Sequence, residues 1–232
     1  MSAPVAFEAL IPGAIAFEFP DLFFGGFWLT VQISVLGLVG ALVIGTAIAL
    51  LRVSPIAPLR WIGAAYVEFF RNTPLVVQLF FLFLGLPFMG IRFSSETFEN
   101  LFRAAIVGMA TYHGAYVAEI VRGGLLGVDK GQIEAARSLG LSYLGMLRYV
   151  QLPQTFRAVI PPLGNIAIAL VKNTSLASTI GVAETLSAAE IVETRTFRTA
   201  EAFLTSTLLF LQLTVPLGIV VNGLERRLLV MR

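Results

Sequence analysis

A run of thirty residues without a charged side chain, from Leu22 to Leu51, is the feature that most restricts how this chain folds. An α-helix rises about 1.5 Å per residue, so a helix over this run exceeds the roughly 30 Å of hydrocarbon in a bilayer. The composition agrees, because 13% of the residues are charged and 57% are hydrophobic, whereas soluble domains carry about 25% charged residues. The chain is therefore predicted to be an all-α polytopic membrane protein.

Four further apolar stretches follow the first one. The five predicted spans are residues 22–51, 61–89, 104–121, 155–176 and 203–224, and the 122–154 loop is too polar to cross. In the first span, small residues recur every four positions and form one face suited to close helix packing: Gly37, Ala41, Gly45 and Ala49. Without solenoid repeats or low-complexity runs, residues 1–232 are predicted to form a single domain.

Basic residues are unevenly distributed between the two sides of the predicted bundle. The loops 52–60 and 122–157 and the tail 225–232 hold ten Lys and Arg residues, whereas the alternate loops hold four. By the positive-inside rule, the richer side faces the cytoplasm, which puts the C-terminus there and the amino-terminal segment with Glu8 and Asp21 outside. Because that segment has no basic residue, a cleaved signal peptide is not predicted.

Motifs for enzymatic chemistry are absent from the sequence. The two lysines, Lys130 and Lys172, both lie outside any Gly-x-x-x-x-Gly-Lys-Ser/Thr loop, so the chain lacks the P-loop of an ATPase. One histidine and no cysteine exclude His-Glu-x-x-His and thiolate metal sites, and no Gly-x-Ser-x-Gly turn occurs. We expect a transport subunit with no enzymatic activity, metal or cofactor of its own.

The 122–154 loop is predicted to contain two short helices joined by a sharp turn. Residues 132–139 favour a helix, and Gly140 can take the left-handed conformation that ends one. Ser142 suits the N-cap of a second helix to about Val150, and Pro153 is expected to break the pattern before the fourth span. Both an ordinary interfacial hairpin and a docking element for another protein fit this pattern.

The same loop resembles the EAA signature of permease subunits of binding-protein-dependent ABC importers, through a Glu-Ala-Ala tripeptide, a following glycine and a Leu-Pro pair at fixed distances. The resemblance implies that the loop couples to an ATPase through Glu134, Ala135, Ala136, Arg137, Leu139, Gly140, Leu152 and Pro153. Residues 68–79, 114–124 and 172–176 are also similar to permeases of polar amino acid importers, and the likeness covers about residues 25–228.

This resemblance implies a MetI-like type I importer fold with five spans in the bacterial inner (plasma) membrane. Such permeases pair as homo- or heterodimers and work with two ATPase subunits, which bind ATP and Mg, and with a periplasmic or lipid-anchored amino-acid-binding protein. Glu134–Gly140 would then be the coupling helix seated in the ATPase, and the cargo would be a polar amino acid moving into the cytoplasm. An ion-gradient-driven secondary carrier or channel is the alternative function.

Charged groups inside a bilayer need a partner, a cavity or a function, because each costs about 2.5–3.5 kcal/mol at its centre. Glu68 and Arg71 are three residues apart, which fits a mutual ion pair or a contact with substrate. Glu119 lies near the end of the third span and is expected to pair with a basic residue, either Arg122 or Arg71.

His113 lies near the middle of the third span, where it either hydrogen-bonds a neighbouring helix or lines a substrate path. The importers named above more often have a small or amide residue at this position. Pro161 and Pro162, beside Gly164 in the fourth span, fit either a simple kink or a gating role. The candidate residues of the substrate path are Gln78, His113, Tyr116, Asn165, Lys172, Asn173, Thr174 and Ser175.

Overall fold

The computed structural model describes residues 14–229, except for the side chains of Tyr143 and Leu229. Every regular element in that range is helical. The helices are α1 (Ala14–Glu18), α2 (Pro20–Val53), α3 (Ala57–Asn72), α4 (Leu75–Phe80), α5 (Leu86–Phe88), α6 (Thr97–Leu126), α7 (Lys130–Ser138), α8 (Tyr143–Met146), α9 (Leu152–Asn173), α10 (Thr185–Thr196) and α11 (Thr199–Leu229). Glu8 and Arg232, which belong to the predicted terminal segments, lie outside the described residues.

Four helical segments of the described chain are long and apolar enough to cross a membrane, and the number is five if a bent pair of helices is taken as one span. The four are residues 20–53, 97–126, 144–180 and 199–228, and each contains one predicted span and extends beyond it. Helix α6 begins at Thr97, inside the stretch expected to be a loop. The helices of these four segments therefore begin before and end after the predicted span bounds.

The second predicted span, 61–89, is not one helix. Its two parts, α3 and the segment 75–88, meet at an angle of 105° around Thr73 and Pro74. A residue before proline is pushed to extended geometry, and Thr73 has φ −111° and ψ 138°. The side chain of Gln78 satisfies the backbone there, since its Nε2 donates to the carbonyl oxygens of Phe70 (3.1 Å) and Thr73 (3.2 Å).

The core of the bundle is the contact between α2 and α6. The predicted small-residue face of α2 is buried as expected, and Gly37 and Gly45 lie against Met109 and Val117 of α6. A Cβ atom on Gly45 would lie 2.5 Å from the Val117 Cβ and 2.6 Å from the carbonyl oxygen of Gly114. The two helix backbones therefore approach as closely as membrane helices with glycine at the interface do.

Helix α10, left without an assignment by the sequence, packs against both α2 and α11. The Glu184 side chain is fully buried at its start and accepts from the backbone N–H groups of Leu186 and Ser187, both at 3.0 Å. Thr30 of α2 lies 2.8 Å from Thr185, hydroxyl to hydroxyl. These bonds fix the segment between the fourth and fifth spans to the first span.

We predict that Gly45→Ala destabilises the bundle by about 1–3 kcal/mol, because the added methyl overpacks the α2–α6 contact. Gly25 on the same helix is the matched control, since a Cβ there meets nothing within 4 Å. Thermal unfolding in detergent measures both variants. Equal melting temperatures for Gly45→Ala and Gly25→Ala would show that the two helices are not held at this distance.

Candidate coupling and translocation sites

Helix α7 in the 122–154 loop has a defined cap at each end. At its start the Asp129 side chain accepts from the backbone N–H of Gln132 at 3.3 Å. At its end Gly140 has φ +78°, its N–H donates to the Arg137 carbonyl (2.9 Å), and the Leu141 N–H donates to the Ala136 carbonyl (3.1 Å). This pair of bonds is a Schellman motif, so the predicted left-handed turn at Gly140 is confirmed.

The chain beyond the turn forms one uninterrupted helical segment into the fourth span. Ser142 caps it by accepting from the Gly145 N–H at 3.2 Å, and α8, a π-helical turn (Leu147–Gln151), α9 and a 3₁₀ turn (Thr174–Ile180) follow without a gap. The expected break at Pro153 was wrong. A proline has no N–H and crowds the preceding turn of an α-helix, and here the wider π-helical turn immediately precedes it.

The EAA residues divide between two faces of α7. Glu134, Ala135 and Arg137 are exposed, and Leu139 at the turn is 81% exposed. Ala136, by contrast, is only 4% exposed. The interpretation of both alanines as surface contacts is therefore wrong for Ala136, whose small size serves packing inside the loop, where α7 contacts α8 and the π-helical turn.

The loop is also tied to the ends of the spans it joins. Gln154 of α9 is hydrogen-bonded to Gln132 of α7. Gln151 donates to the carbonyl oxygen of Leu125 (3.1 Å), and Thr155 donates to that of Gly124 (3.2 Å). Leu152 is half-buried and Pro153 is exposed. A movement of α7 would consequently reach both α6 and α9.

An ion cluster lies close to the same end of the bundle. Glu119 of α6 pairs with Arg122 at 2.8 Å and with Arg52 at the end of α2. The expected Glu68–Arg71 pair is not formed, and the Glu68 carboxylate instead accepts from the Asn72 side chain (2.9 Å). Arg71 instead lies over the ring of Tyr116, 5.2 Å from its centroid, as a cation–π contact.

His113 is 2% exposed and joins the third and fourth spans. Its Nδ1 lies 2.9 Å from the Met109 carbonyl oxygen, and its Nε2 lies 3.2 Å from Nδ2 of Asn173 in α9. A carbonyl only accepts, so Nδ1 carries the proton in the neutral ring and Nε2 accepts from the asparagine. Of the two interpretations of His113, the structure agrees with the first, a hydrogen bond to a neighbouring helix.

The other candidate residues of the substrate path differ in their surroundings. Gln78 and Thr174 are buried, at 7% and 0% exposure, and the Thr174 and Ser175 hydroxyls donate to the carbonyls of Val171 and Lys172. Gln78 and Thr174 therefore do not line an open path in this conformation. Asn165 and Lys172 are exposed on α9.

A cavity of about 830 Å³ opens between the end of α6, the loop, α9 and the end of α11. Its lining includes Glu119, Gln154, Arg157 and Glu225. Pro161 and Pro162 also line it, and as prolines within a helix they cannot donate to the carbonyls of Arg157 and Ala158 one turn earlier. In the described part of the chain, no three His, Asp or Glu side chains are grouped to hold a metal ion.

Two residues in these networks were not anticipated from the sequence. Arg52, which pairs with Glu119, is the first basic residue after the first span, but nothing in the sequence indicates which carboxylate it meets. Glu184 lies in a segment of mixed polarity without a periodic pattern, and its contact with Thr30 spans 154 residues of sequence. Long-range pairings of this kind leave no local signal.

Comparison with known proteins gives a consistent picture. Residues 37–230 match the model of the family described as binding-protein-dependent transport system inner membrane component. The chain is 39% identical over 215 residues to the probable glutamine ABC transporter permease protein GlnM of Bacillus subtilis (strain 168), covering 93% of this chain and 97% of that protein. It is 39% identical over 211 residues to the glutamate transport system permease protein GluC of Corynebacterium efficiens, covering 88% and 92%.

Among solved structures, the chain resembles one described as the crystal structure of an amino acid ABC transporter with histidines. The TM-score is 0.84 at 32% identity, over 94% of this chain and 99% of that one. The predicted all-α, MetI-like permease fold is thereby confirmed.

We predict that Gly140→Ala destabilises the loop by about 1–2 kcal/mol, because an L-residue at positive φ brings its Cβ close to the carbonyl oxygen. A Cβ at position 140 meets nothing within 4 Å, so the cost is conformational. Gly123→Ala is the matched control, since that glycine is helical and equally open. Hydrogen exchange of the α7 amides reports the difference, and equal protection in both variants would contradict a left-handed turn.

Proposed function

Because the chain belongs to the family of inner membrane components of binding-protein-dependent transport systems, we propose that it is the permease subunit of an ABC importer that carries a polar amino acid into the cytoplasm. ATP and Mg are bound by a separate ATPase subunit. The observation that carries the proposal is the exposed helix α7, joined through the Gly140 turn to a helix that runs unbroken into the fourth span.

Coupling proceeds through the exposed face of α7. Leu139 is a large apolar side chain at 81% exposure in a polar loop, flanked by the charges of Glu134 and Arg137. An apolar anchor with a polar rim is the arrangement that protein interfaces use. When the ATPase subunits close on nucleotide, they displace α7, and the Schellman turn passes the displacement to α8 and α9.

Charge and the position of this loop support an orientation with the C-terminus in the cytoplasm. Arg52, Arg122, Arg137, Arg148 and Arg226 all lie in loops or helix ends on the side of α7, and basic residues accumulate on the cytoplasmic side. The start of α2 and the loop between α10 and α11 then face outward, where Glu18 and Glu201 both pair with Arg198. That outer surface is the side available to an amino-acid-binding protein.

A second permease subunit, identical or related, completes the path. Asn165 and Lys172 are exposed on α9, within a segment long and apolar enough to span the bilayer. A lysine against hydrocarbon costs several kcal/mol, so this face meets water and a partner subunit instead of lipid. We place the translocation path along the α9 face that carries these two residues, with Lys172 suited to the α-carboxylate that every amino acid carries.

Selection for the charge of the cargo side chain is made by another subunit and not by this chain. Relatives named for glutamine and for glutamate are both 39% identical to this chain, so overall similarity does not separate a neutral from an acidic substrate. The binding protein, which selects the amino acid before it reaches the permease, is the partner that decides.

Leu139→Ser tests the coupling surface. We expect about tenfold weaker binding of the ATPase subunit and a matching loss of uptake in proteoliposomes, the effect of truncating one central interface side chain. Leu126→Ser is the control, because Leu126 is 63% exposed at the end of α6 but lies outside the segment formed by α7 and its Gly140 turn.

Three results would contradict the proposal. The first is wild-type uptake without any ATPase subunit, which is the behaviour of an ion-gradient-driven carrier or channel. The second is a Leu126→Ser variant as impaired as Leu139→Ser. The third is full coupling in Leu139→Ser.

A further inference from the structure

We infer that His113 is a positioning residue for substrate: its hydrogen bond to Asn173 holds the end of α9 so that Lys172 faces the translocation path. This inference rests on the proposed function, in which that face of α9 lines the path. His113 itself is 2% exposed and does not contact substrate.

Contacts within α6 fix the orientation of the imidazole ring. Nδ1–H donates to the Met109 carbonyl oxygen, one turn earlier in α6, at 2.9 Å. The ring also meets Tyr112 edge to face, with centroids 5.1 Å apart. Both contacts come from α6 itself, so the ring is preset to present an unprotonated Nε2 toward α9.

In this orientation the His113 Nε2 reaches the end of α9. Asn173 is the last residue of α9, and its Nδ2 lies 3.2 Å from Nε2. Beyond it the chain tightens into the 3₁₀ turn, where Thr174 and Ser175 turn their hydroxyls back onto carbonyls of α9. In the described structure, the His113–Asn173 bond is the side-chain hydrogen bond that joins this helix end to α6.

The position of Asn173 determines the direction of its neighbour Lys172, because both lie on one helix. Successive side chains project about 100° apart, as follows from 3.6 residues per turn. If Asn173 is held against α6, Lys172 is directed away from it, and Lys172 is indeed exposed. Loss of the bond frees the helix end to rotate or fray into the 3₁₀ turn, and the lysine then loses its fixed direction.

The transport experiment uses the assembled complex of permease, ATPase and binding protein in proteoliposomes, with L-glutamine and L-glutamate as probes. Of the two, the amino acid with the higher uptake by wild type is used to measure KM. We expect His113→Phe to raise KM about tenfold, the factor for one buried neutral hydrogen bond, with maximal ATPase activity retained. His113→Gln, whose Oε1 can accept from Asn173, should return KM to within about threefold of wild type.

Two further variants separate positioning from packing. Asn173→Ala should raise KM as much as His113→Phe. The double variant should have the same KM as either single variant, because both substitutions remove the same hydrogen bond. Thr111→Val is the control, since it removes a hydrogen bond from the hydroxyl to the Val107 carbonyl within the same turn of α6 without touching α9. Additive losses in the double variant, or an equal loss in Thr111→Val, would overturn the inference.

Failure of the proposed function gives a different result. Lys172→Gln should raise KM at least as much as His113→Phe. If Lys172→Gln has no effect, the proposed path is wrong, whereas an effect of Lys172→Gln with none of His113→Phe refutes the positioning role alone.

A spectroscopic measurement tests the bond even where a variant transports poorly. His113 is the single histidine of the chain, so ¹⁵N-histidine labelling of a protein purified without a histidine tag gives one pair of ring resonances. We expect the Nδ1–H tautomer in wild type and a shifted Nε2 resonance in Asn173→Ala. A proton on Nε2, or an unchanged Nε2 resonance in Asn173→Ala, would overturn the inference.

Discussion

The structure depends on one requirement, that a helix crossing the bilayer keeps its backbone hydrogen bonds while containing prolines. The segment from Tyr143 to Ile180 meets it with a π-helical turn before Pro153 and a 3₁₀ turn after Asn173. Within it, Pro161 and Pro162, which have no N–H to donate to the carbonyls of Arg157 and Ala158, line the cavity beside the loop. Because the helix is not interrupted, the loop that it starts from and the polar residues at its end belong to one mechanical unit.

Helices α2 and α6 form the part of the bundle against which this unit would move. Helices α2 and α6 approach closely at Gly37 and Gly45, and the Arg52–Glu119–Arg122 cluster joins them near the loop. The fourth span packs on this pair through Leu170, which shares an apolar core with Ile33 and Met109, and is hydrogen-bonded to it at the Gly124 carbonyl and at His113. A displacement of α7 would therefore act on α9 where α9 contacts the α2–α6 pair.

The sequence predicted those elements that depend on residues close together in the chain. Apolar runs indicated long helical segments, although the 61–89 run is two helices. The four-residue repeat indicated the buried face of α2, and Gly140 indicated the turn. The sequence misled where one local rule competed with another: Pro153 suggested a break, but a π-helical turn accommodates it. Contacts between distant residues, such as Thr30 with Glu184 or Arg52 with Glu119, were out of reach, because their partners share no sequence neighbourhood. The inward side of Ala136 likewise depends on how α7 docks on α8, which a tripeptide motif does not encode.

The claim that α7 transmits force from an ATPase is tested most directly by site-specific cross-linking. The chain has no cysteine, so Ala135→Cys and Ala136→Cys each introduce a single thiol, one on the exposed face of α7 and one on its buried face. In native membranes, a short thiol-reactive cross-linker at position 135 should capture a P-loop ATPase subunit, and the same reagent at position 136 should capture far less. Capture of no ATPase from position 135, or equal capture from both positions, would contradict the account.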